Sequence, residues 1–227
     1  MSLFRAENVS LNSVMDGAVF ENFNITVREG EKVIIRGTLS ERKLLLQILS
    51  GQAEPVKGKI FLQDEEVKYF INTEYFEKRK IISVISGTLS PLANLTVREN
   101  LELPLRFDRT VSEEEREDIT ENMLEILNLK SKAGLRPDRL NSEEKKLLTA
   151  AAGLKSTTKL ILADDTLEKM DEDSLQMLKW LINYRIDTDS TAAVFFFRKK
   201  VLFSDEKFTS YITENGKLER ILSLEED

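Results

Sequence analysis

The chain contains no cysteine and no histidine. Without cysteine it can form neither disulfides nor thiolate metal sites, which is compatible with a cytosolic home. The missing histidine excludes more. No imidazole is available for acid–base catalysis or metal ligation, so any chemistry must rest on carboxylates, lysine, arginine or hydroxyls. Long apolar runs are also absent: nothing approaches the roughly 20 residues of a membrane span, and the start Met1-Ser2-Leu3-Phe4-Arg5 does not read as a signal peptide. A soluble protein is expected, still able to dock onto a membrane partner. Excess positive charge is lacking too. The formal charge of −7 argues against sequence-independent nucleic-acid binding. What is present, 227 residues with 41% hydrophobic and 32% charged, suits one compact α/β domain with room for a sizeable core.

The most informative stretch is Lys159-Leu160-Ile161-Leu162-Ala163-Asp164-Asp165, with Asp171 following after Thr166-Leu167-Glu168-Lys169-Met170. A short apolar run ending in an acidic pair reads as a buried strand delivering carboxylates to the rim of a parallel sheet, where open α/β sheets place ligand chemistry. An Asp there can hold Mg²⁺ beside nucleotide phosphates. Taken alone, the same run favours a core strand ending in a solvated turn, because apolar strands followed by acids are common.

Around it the chain alternates elements. Leu3–Leu11 and Val19–Val27 are short apolar stretches, and Lys32–Arg36 is a buried strand entering a loop at Gly37. Apolar residues dominate Lys43–Leu49, with Gly51 placed as a helix C-cap. Gly58–Leu62 and Lys80–Ile85 read as strands. Thr96 looks like an N-cap, and Ser112–Leu129 is acidic and amphipathic with Ile119, Met123, Ile126 and Leu127 on one face. Helices are expected over Ser142–Leu154 and Asp173–Tyr184, and a strand over Thr191–Phe197. The tail Leu222–Asp227 is expected to fray. Strands alternating with helices imply a mostly parallel sheet.

Several segments then match a known family in order and spacing. Val19 to Glu31 resembles the early strand and turn of the ATP-binding subunit of ABC transporters, and Gly37-Thr38-Leu39-Ser40-Glu41-Arg42-Lys43-Leu44 stands where its phosphate loop belongs. Leu95-Thr96-Val97-Arg98-Glu99-Asn100-Leu101-Glu102-Leu103-Pro104-Leu105 is similar to the segment after its glutamine loop, nearest in wording to the lipoprotein-export, cell-division and macrolide-efflux subfamilies. Leu140 to Asp171 aligns without a gap onto signature, magnesium strand and dimer-contact loop. The resemblance covers nearly the whole chain. It implies an α/β, P-loop NTPase-like ABC ATPase fold: a mostly parallel sheet core (1–86 and 155–227) with an antiparallel β part, and a helical subdomain (87–154), together one domain over 1–227.

The departures from the family pattern are systematic. A working phosphate loop uses glycines, so that successive backbone N–H groups face the phosphates, together with a lysine and a magnesium-binding hydroxyl. Here Ser40, Glu41 and Arg42 replace small residues. Aligned from Gly37, Lys43 and Leu44 take the lysine and hydroxyl positions; aligned back from Gly51, Arg42 and Lys43 take them. Neither register restores the hydroxyl, and Glu41 sets a carboxylate against the phosphates. The glutamine maps near Ser86, too short for its role. Leu140-Asn141-Ser142-Glu143-Glu144 occupies the signature's place with acids instead of glycines, where Asn141 or Ser142 also reads as a helix cap. Asp164 keeps the magnesium-side carboxylate, while Asp165 replaces the glutamate and reaches about 1.5 Å less far. Phe197 stands in place of the switch histidine, Asp171 keeps the dimer-contact acid, and no aromatic falls near Ser13 to stack on adenine.

The resemblance therefore implies a catalytically degenerate ATP-binding subunit, a pseudo-ATPase. Its remnant phosphate loop is Gly37, Ser40, Arg42 and Lys43, its remnant metal carboxylate is Asp164, and Asp165 is a remnant catalytic residue. ATP with Mg²⁺ is expected to bind weakly or not at all. Implied partners are a membrane permease-like subunit, docked in a groove lined by Ser86, Leu92, Leu95, Glu99 and Leu103, and a second cassette in a homodimer or heterodimer touching at Asp171, with no nucleic acid. The implied location is the inner face of the cytoplasmic membrane. Two alternatives stand beside this reading: a slow or divergent ATPase relying on Arg42 or Lys43 with Asp164 and Asp165, and a regulatory or scaffold module outside transport.

Overall fold

A computed structural model describes residues 2–12, 19–67, 78–108, 111–155, 157–198 and 208–221. The expectations for the tail 222–227 and for the adenine-stacking position near Ser13 lie outside these residues. Ten strands and five α-helices are described: β1 Ser2–Asn12, β2 Val19–Arg28, β3 Lys32–Arg36, α1 Leu39–Leu49, β4 Lys57–Leu62, β5 Glu65–Glu66, β6 Ile82–Ile85, α2 Val97–Arg106, α3 Glu113–Ile126, α4 Ser142–Gly153, β7 Leu160–Ala163, α5 Glu172–Asp189, β8 Ala192–Phe196, β9 Thr209–Glu214 and β10 Lys217–Ile221.

Two sheets result. One is antiparallel with order β2-β1-β4-β5, and the other has order β10-β9-β3-β8-β7-β6. In the second, β6, β7, β8, β3 and β9 run parallel, and β10 pairs antiparallel with β9. Strands β7 and β8 are apolar along their whole length, and β3 is apolar between Lys32 and Arg36, because both faces are covered. Val33, Leu160, Leu162, Val194 and Phe196 face a core shared with α1 and the antiparallel sheet. Ile34, Ile161, Ala163, Ala193 and Phe195 face a second core built with the later helices. A one-residue slip in β7 or β8 would exchange these two sets.

The parallel register has a functional consequence. Ser86, Asp164, Phe197 and Gly37 each follow the carboxyl end of a strand in the adjacent series β6-β7-β8-β3. One edge of the sheet thereby gathers these four positions singled out in the sequence.

Local signals explain the helix starts. Thr38, Thr96, Ser112 and Asn141 each form a reciprocal capping box with the glutamate three positions on. At 141–142 it is therefore Asn141 that caps. Helix α5 extends to Asp189, five residues beyond the expected end, because Ile186 finds a buried place in the core. Strand β6 begins at Ile82 rather than Lys80. Helix α3 differs from expectation in the face it buries. Thr120, Leu124 and Leu127 point inward, whereas Ile119, Met123 and Ile126 are half-buried beside an open groove. Of the expected face Leu127 is fully buried, while the rest of the inward set is displaced from Ile119 and Met123 by one residue, about 100° around the helix.

The β9–β10 hairpin was not anticipated. Its signal is Asn215-Gly216 between two β-rich runs, with φ of 50° and 75° as a two-residue hairpin turn requires.

Candidate functional site: a phosphate-loop cleft closed by the chain's own side chains

The loop after β3 is very short, because α1 begins at Leu39. A Cβ on Gly37 would lie 1.6 Å from the Thr213 hydroxyl, so no larger residue fits there unless β9 moves. The first turn of α1 places a carboxylate where helix amino termini attract anions. Glu41 is 8% exposed, and its Oε2 accepts from the Thr38 amide at 3.0 Å, the Thr38 hydroxyl at 2.7 Å and the Thr213 hydroxyl at 2.9 Å. Burial works to raise the Glu41 pKa, but the hydrogen bonds from Thr38, Thr213 and the Gly216 backbone outweigh it and hold the carboxyl below its usual value. The Glu41 amide in turn donates to the Thr38 hydroxyl at 3.3 Å.

Arg42 turns inward and is almost fully buried. Its Nε donates to the Gly37 carbonyl at 3.2 Å, one terminal nitrogen donates to the Phe196 carbonyl at 2.8 Å, and the other lies 3.7 Å from Asp165 Oδ2. Asp165 also pairs with Lys169 at 3.2 Å. One guanidinium therefore joins the loop after β3 to the ends of β7 and β8. Lys43 is exposed, Leu44 packs into the core, and Ser40 is half-buried. Of the two candidate cations, Arg42 is the one that turns inward.

Asp164 Oδ2 accepts a 2.5 Å hydrogen bond from the Ser86 hydroxyl, and Oδ1 accepts from the Thr166 amide at 2.8 Å. A cleft of about 320 Å³ lies between these groups, lined by Arg42, Lys43, Ser86, Thr88, Asp164 and Asp165 among others. The structure thus brings the remnant-loop cations and both acids to one place. Among the described residues no cluster of three or more acidic side chains is arranged to hold a metal ion. The aromatics flanking the adenine position in sequence, Phe4 and Phe20, are both buried in the sheet core. Phe197 is fully buried, its ring centroid 5.4 Å from that of Phe195.

At the start of α4 the acids are neutralised within the chain. Glu144 Oε1 meets Lys132 at 2.5 Å, and Glu143 Oε1 meets Lys146 at 2.6 Å. Glu143 Oε2 also accepts from the Asp171 amide at 3.2 Å, and Lys146 donates to the Lys169 carbonyl at 3.0 Å. The loop after β7 is thus tied to α4 of its own chain, and Asp171 serves as N-cap of α5 through a 2.8 Å bond from the Ser174 amide.

Of the expected docking residues, Ser86 lines a second cleft of about 430 Å³ with Leu89, Pro91, Ser142 and Lys145. Leu92 is 47% exposed, Leu95, Glu99 and Leu103 are half-buried on the following segment and helix, and Glu99 is engaged in the Thr96 capping box. The sequence reading passed over Asn100, which is buried and grips this segment. Its Oδ1 accepts from the Leu92 amide at 2.7 Å, and its Nδ2 donates to the Leu92 and Thr96 carbonyls at 3.1 and 2.8 Å. Thr213 was missed as well. No local pattern marks either residue, since each acts on a partner that only the fold brings near.

This layout, with a phosphate-type loop and an acid-ended strand on neighbouring parallel strands, defines a nucleotide-binding cassette architecture. The family model for ABC transporters matches residues 20–168, and the chain belongs to that family as an ATP-binding domain. It is 29% identical over 198 residues to the lipoprotein-releasing system ATP-binding protein LolD of Psychrobacter arcticus, covering 84% of this chain and 87% of that protein. It is 26% identical to the methionine import ATP-binding protein MetN of Geobacillus kaustophilus, covering 74% of this chain but only 48% of that longer relative. Among solved structures, the dimeric bacterial ABC transporter cassette MJ0796 matches with a TM-score of 0.81 at 21% identity, covering 97% of this chain and all of that one. The structure of cbiO1 from Clostridium perfringens, part of the ABC transporter complex cbiONQ, matches with a TM-score of 0.80 at 15% identity, covering 96% and 86%. No described helix is long and apolar enough to cross a membrane.

Proposed function

We propose that this ABC-family chain is a non-hydrolysing cassette that works by docking rather than by turnover. It would bind a membrane permease-like partner on the cytoplasmic face and pair with a second cassette, identical or different. The observation that carries the reading is the Glu41 carboxylate at the amino terminus of α1, taking hydrogen bonds from Thr38 and Thr213. A nucleotide phosphate would have to displace that carboxylate and meet its charge in a partly dry site.

Three further observations support it. Arg42, the inward cation, is already spent on two carbonyls and Asp165. Neither Lys43, which follows Arg42, nor Leu44 offers a hydroxyl to Mg²⁺. Ser86 is drawn onto Asp164 and so occupies the carboxylate that a metal would need. Phosphoryl transfer depends on positioning and charge stabilisation, and the loss of several such groups compounds. The acid-rich start of α4 would equally weaken a composite site shared with a competent partner cassette. The segment 86–107, within a helical subdomain spanning 87–154, is the proposed permease-facing surface, with Ser86, Leu92, Leu95, Glu99 and Leu103 on it and Asp171 at the cassette pair's contact.

Thermal unfolding with and without ATP·Mg²⁺ tests the first half, since a ligand that binds only the native state raises apparent stability. No shift and no phosphate release are expected. A clear upward shift, or a turnover abolished by Asp165→Asn, would replace this reading with the slow-ATPase one. Co-purification with the membrane partner tests the second half: point changes across 92–105 that leave association intact would remove the docking surface.

A further inference from the structure

The apolar stripe of α3 that the core leaves uncovered has its own architecture. Ile119, Met123 and Ile126 form one wall of a groove of about 440 Å³, and Trp180 and Tyr184 of α5 form the opposite wall. The two rings stack at 5.5 Å with planes 13° apart, yet each is 51% exposed. Stacked aromatics on adjacent turns with half their surface in water are the composition of an interface anchor rather than of a solvated helix face.

The surroundings say what chemistry would fit. Glu125 lines the groove; along α3 Glu113 pairs with Arg116, Glu121 with Arg98 and Lys130, and Glu115 caps at Ser112, which leaves Glu114, Glu117 and Asp118 as further exposed acids of the helix. The cation lining the groove, Arg185, is engaged with Asp189 at 3.0 Å and with the Lys155 carbonyl at 3.0 Å. An acidic rim repels an anionic lipid surface and nucleic acid alike, and favours a positively charged partner. The two walls are helices, and the apolar stripe spans about two turns, the footprint of a helix laid in a groove.

We infer that the groove between α3 and α5 is a docking site for a basic amphipathic helix of a partner protein, with its apolar face against Ile126, Met123, Trp180 and Tyr184 and its lysines or arginines toward the acids of α3. This face uses none of the residues of the phosphate-loop cleft, so it stands or falls independently of whether nucleotide binds.

Trp180 is the chain's only tryptophan, so intrinsic emission reports this groove alone. The probe is a tryptophan-free, 14-residue amphipathic Leu/Lys peptide titrated into the full chain, with a Leu/Glu peptide of the same pattern as control. A saturable change in Trp180 emission is expected with the Leu/Lys peptide, weakening as salt is added. Affinity should fall about tenfold both in Met123→Gln/Ile126→Gln and in Asp118→Lys/Glu125→Lys, with helical content checked by circular dichroism. No response, or an equal response to the Leu/Glu peptide, would overturn the assignment. So would undiminished binding in the Met123/Ile126 variant, which would reduce the effect to bulk charge. An emission change that grows with protein concentration alone would give the face to a second copy, and one produced by anionic phospholipid vesicles would give it to a membrane; either result ends the helix-docking proposal.

Discussion

Glu41 and Thr213 are 172 positions apart in the chain, yet the Thr213 hydroxyl donates to the Glu41 carboxylate at 2.9 Å. That bond ties the first turn of α1 to the outer parallel strand β9, directly over Gly37, and it fills the amino terminus of α1 with an anion the protein supplies itself. The cleft below is bounded by groups that satisfy one another, which is why its polar residues are buried at so little cost.

Replacing Glu41 with Ala removes one acceptor from three donors. The Thr38 amide, the Thr38 hydroxyl and the Thr213 hydroxyl would all need water, and a loss of about 2 kcal/mol is expected in denaturant unfolding. The pH dependence gives a second readout. The Glu41 carboxyl titrates below its usual 4.5 in the folded protein. Its contribution is therefore complete above the unfolded value and is lost as pH falls from there through the folded one. The wild type should lose stability more steeply below about pH 4.5 than Glu41→Gln, whose amide does not titrate. Parallel acid limbs in the two proteins would show that the carboxylate is not held as described.

Arg42 and Asp165 should differ sharply in their sensitivity. Arg42→Ala orphans the carbonyls of Gly37 and Phe196 and opens a buried volume, so about 3 kcal/mol is expected. Asp165 is more exposed and sits 3.7 Å from the guanidinium, so Asp165→Asn should cost under about 1 kcal/mol. The order Arg42 far above Asp165 is the test, read from unfolding midpoints at constant slope. Equal losses would mean that the ion pair, and not the carbonyl contacts, holds the cleft.

How much of this was legible beforehand divides along physical lines. Continuous apolar runs located β3, β7 and β8, cap residues located the starts of α2 and α4, and an amphipathic acidic pattern located α3, because those signals are local. The acid pair at 164–165 was correctly placed at a strand end for the same reason. Glu41 was visible as a charge in the wrong place, but its partner was not, since Thr213 lies on a hairpin that only long-range pairing brings to Gly37. Local patterning also misjudged α3. The apolar stripe at 119, 123, 126 and 127 has helical spacing, yet only Leu127 of it is fully buried, because which face turns inward depends on how α3 meets α2.

The β9–β10 turn gives a steric prediction. Gly216 has a φ of 75°, and a Cβ there would lie 2.3 Å from the Val19 carbonyl oxygen. Gly216→Ala thus combines backbone strain with a clash against β2, and its carbonyl currently accepts from the Glu21 amide at 3.1 Å. A loss of about 2 kcal/mol or more is expected. Because the hairpin carries Thr213, the same variant should also weaken the Glu41 contact. A double-mutant cycle of Gly216→Ala with Thr213→Val should show non-additivity.

Asn100 holds the segment on which the proposed permease surface depends. Its amide bonds the Leu92 amide and the carbonyls of Leu92 and Thr96, so the turn before α2 is fixed by a side chain that is itself 5% exposed. Removing the side chain orphans the Leu92 amide, while the carbonyls of Leu92 and Thr96 keep only the amides of Leu95 and residue 100, at 3.2 and 3.0 Å. Asn100→Ala should lower global stability by about 2 kcal/mol. Its local effect should be larger, with amide exchange at Leu92 and Leu95 approaching that of an open loop while the strands β3, β7 and β8 keep their protection. Asn100→Asp retains the acceptor for the Leu92 amide but places a carboxylate against two carbonyls, so it should be no better than alanine. If exchange over 92–96 stayed as slow in either variant as in the wild type, the order of this surface would have to come from Thr96 and Glu99 instead, whose capping box both substitutions leave intact.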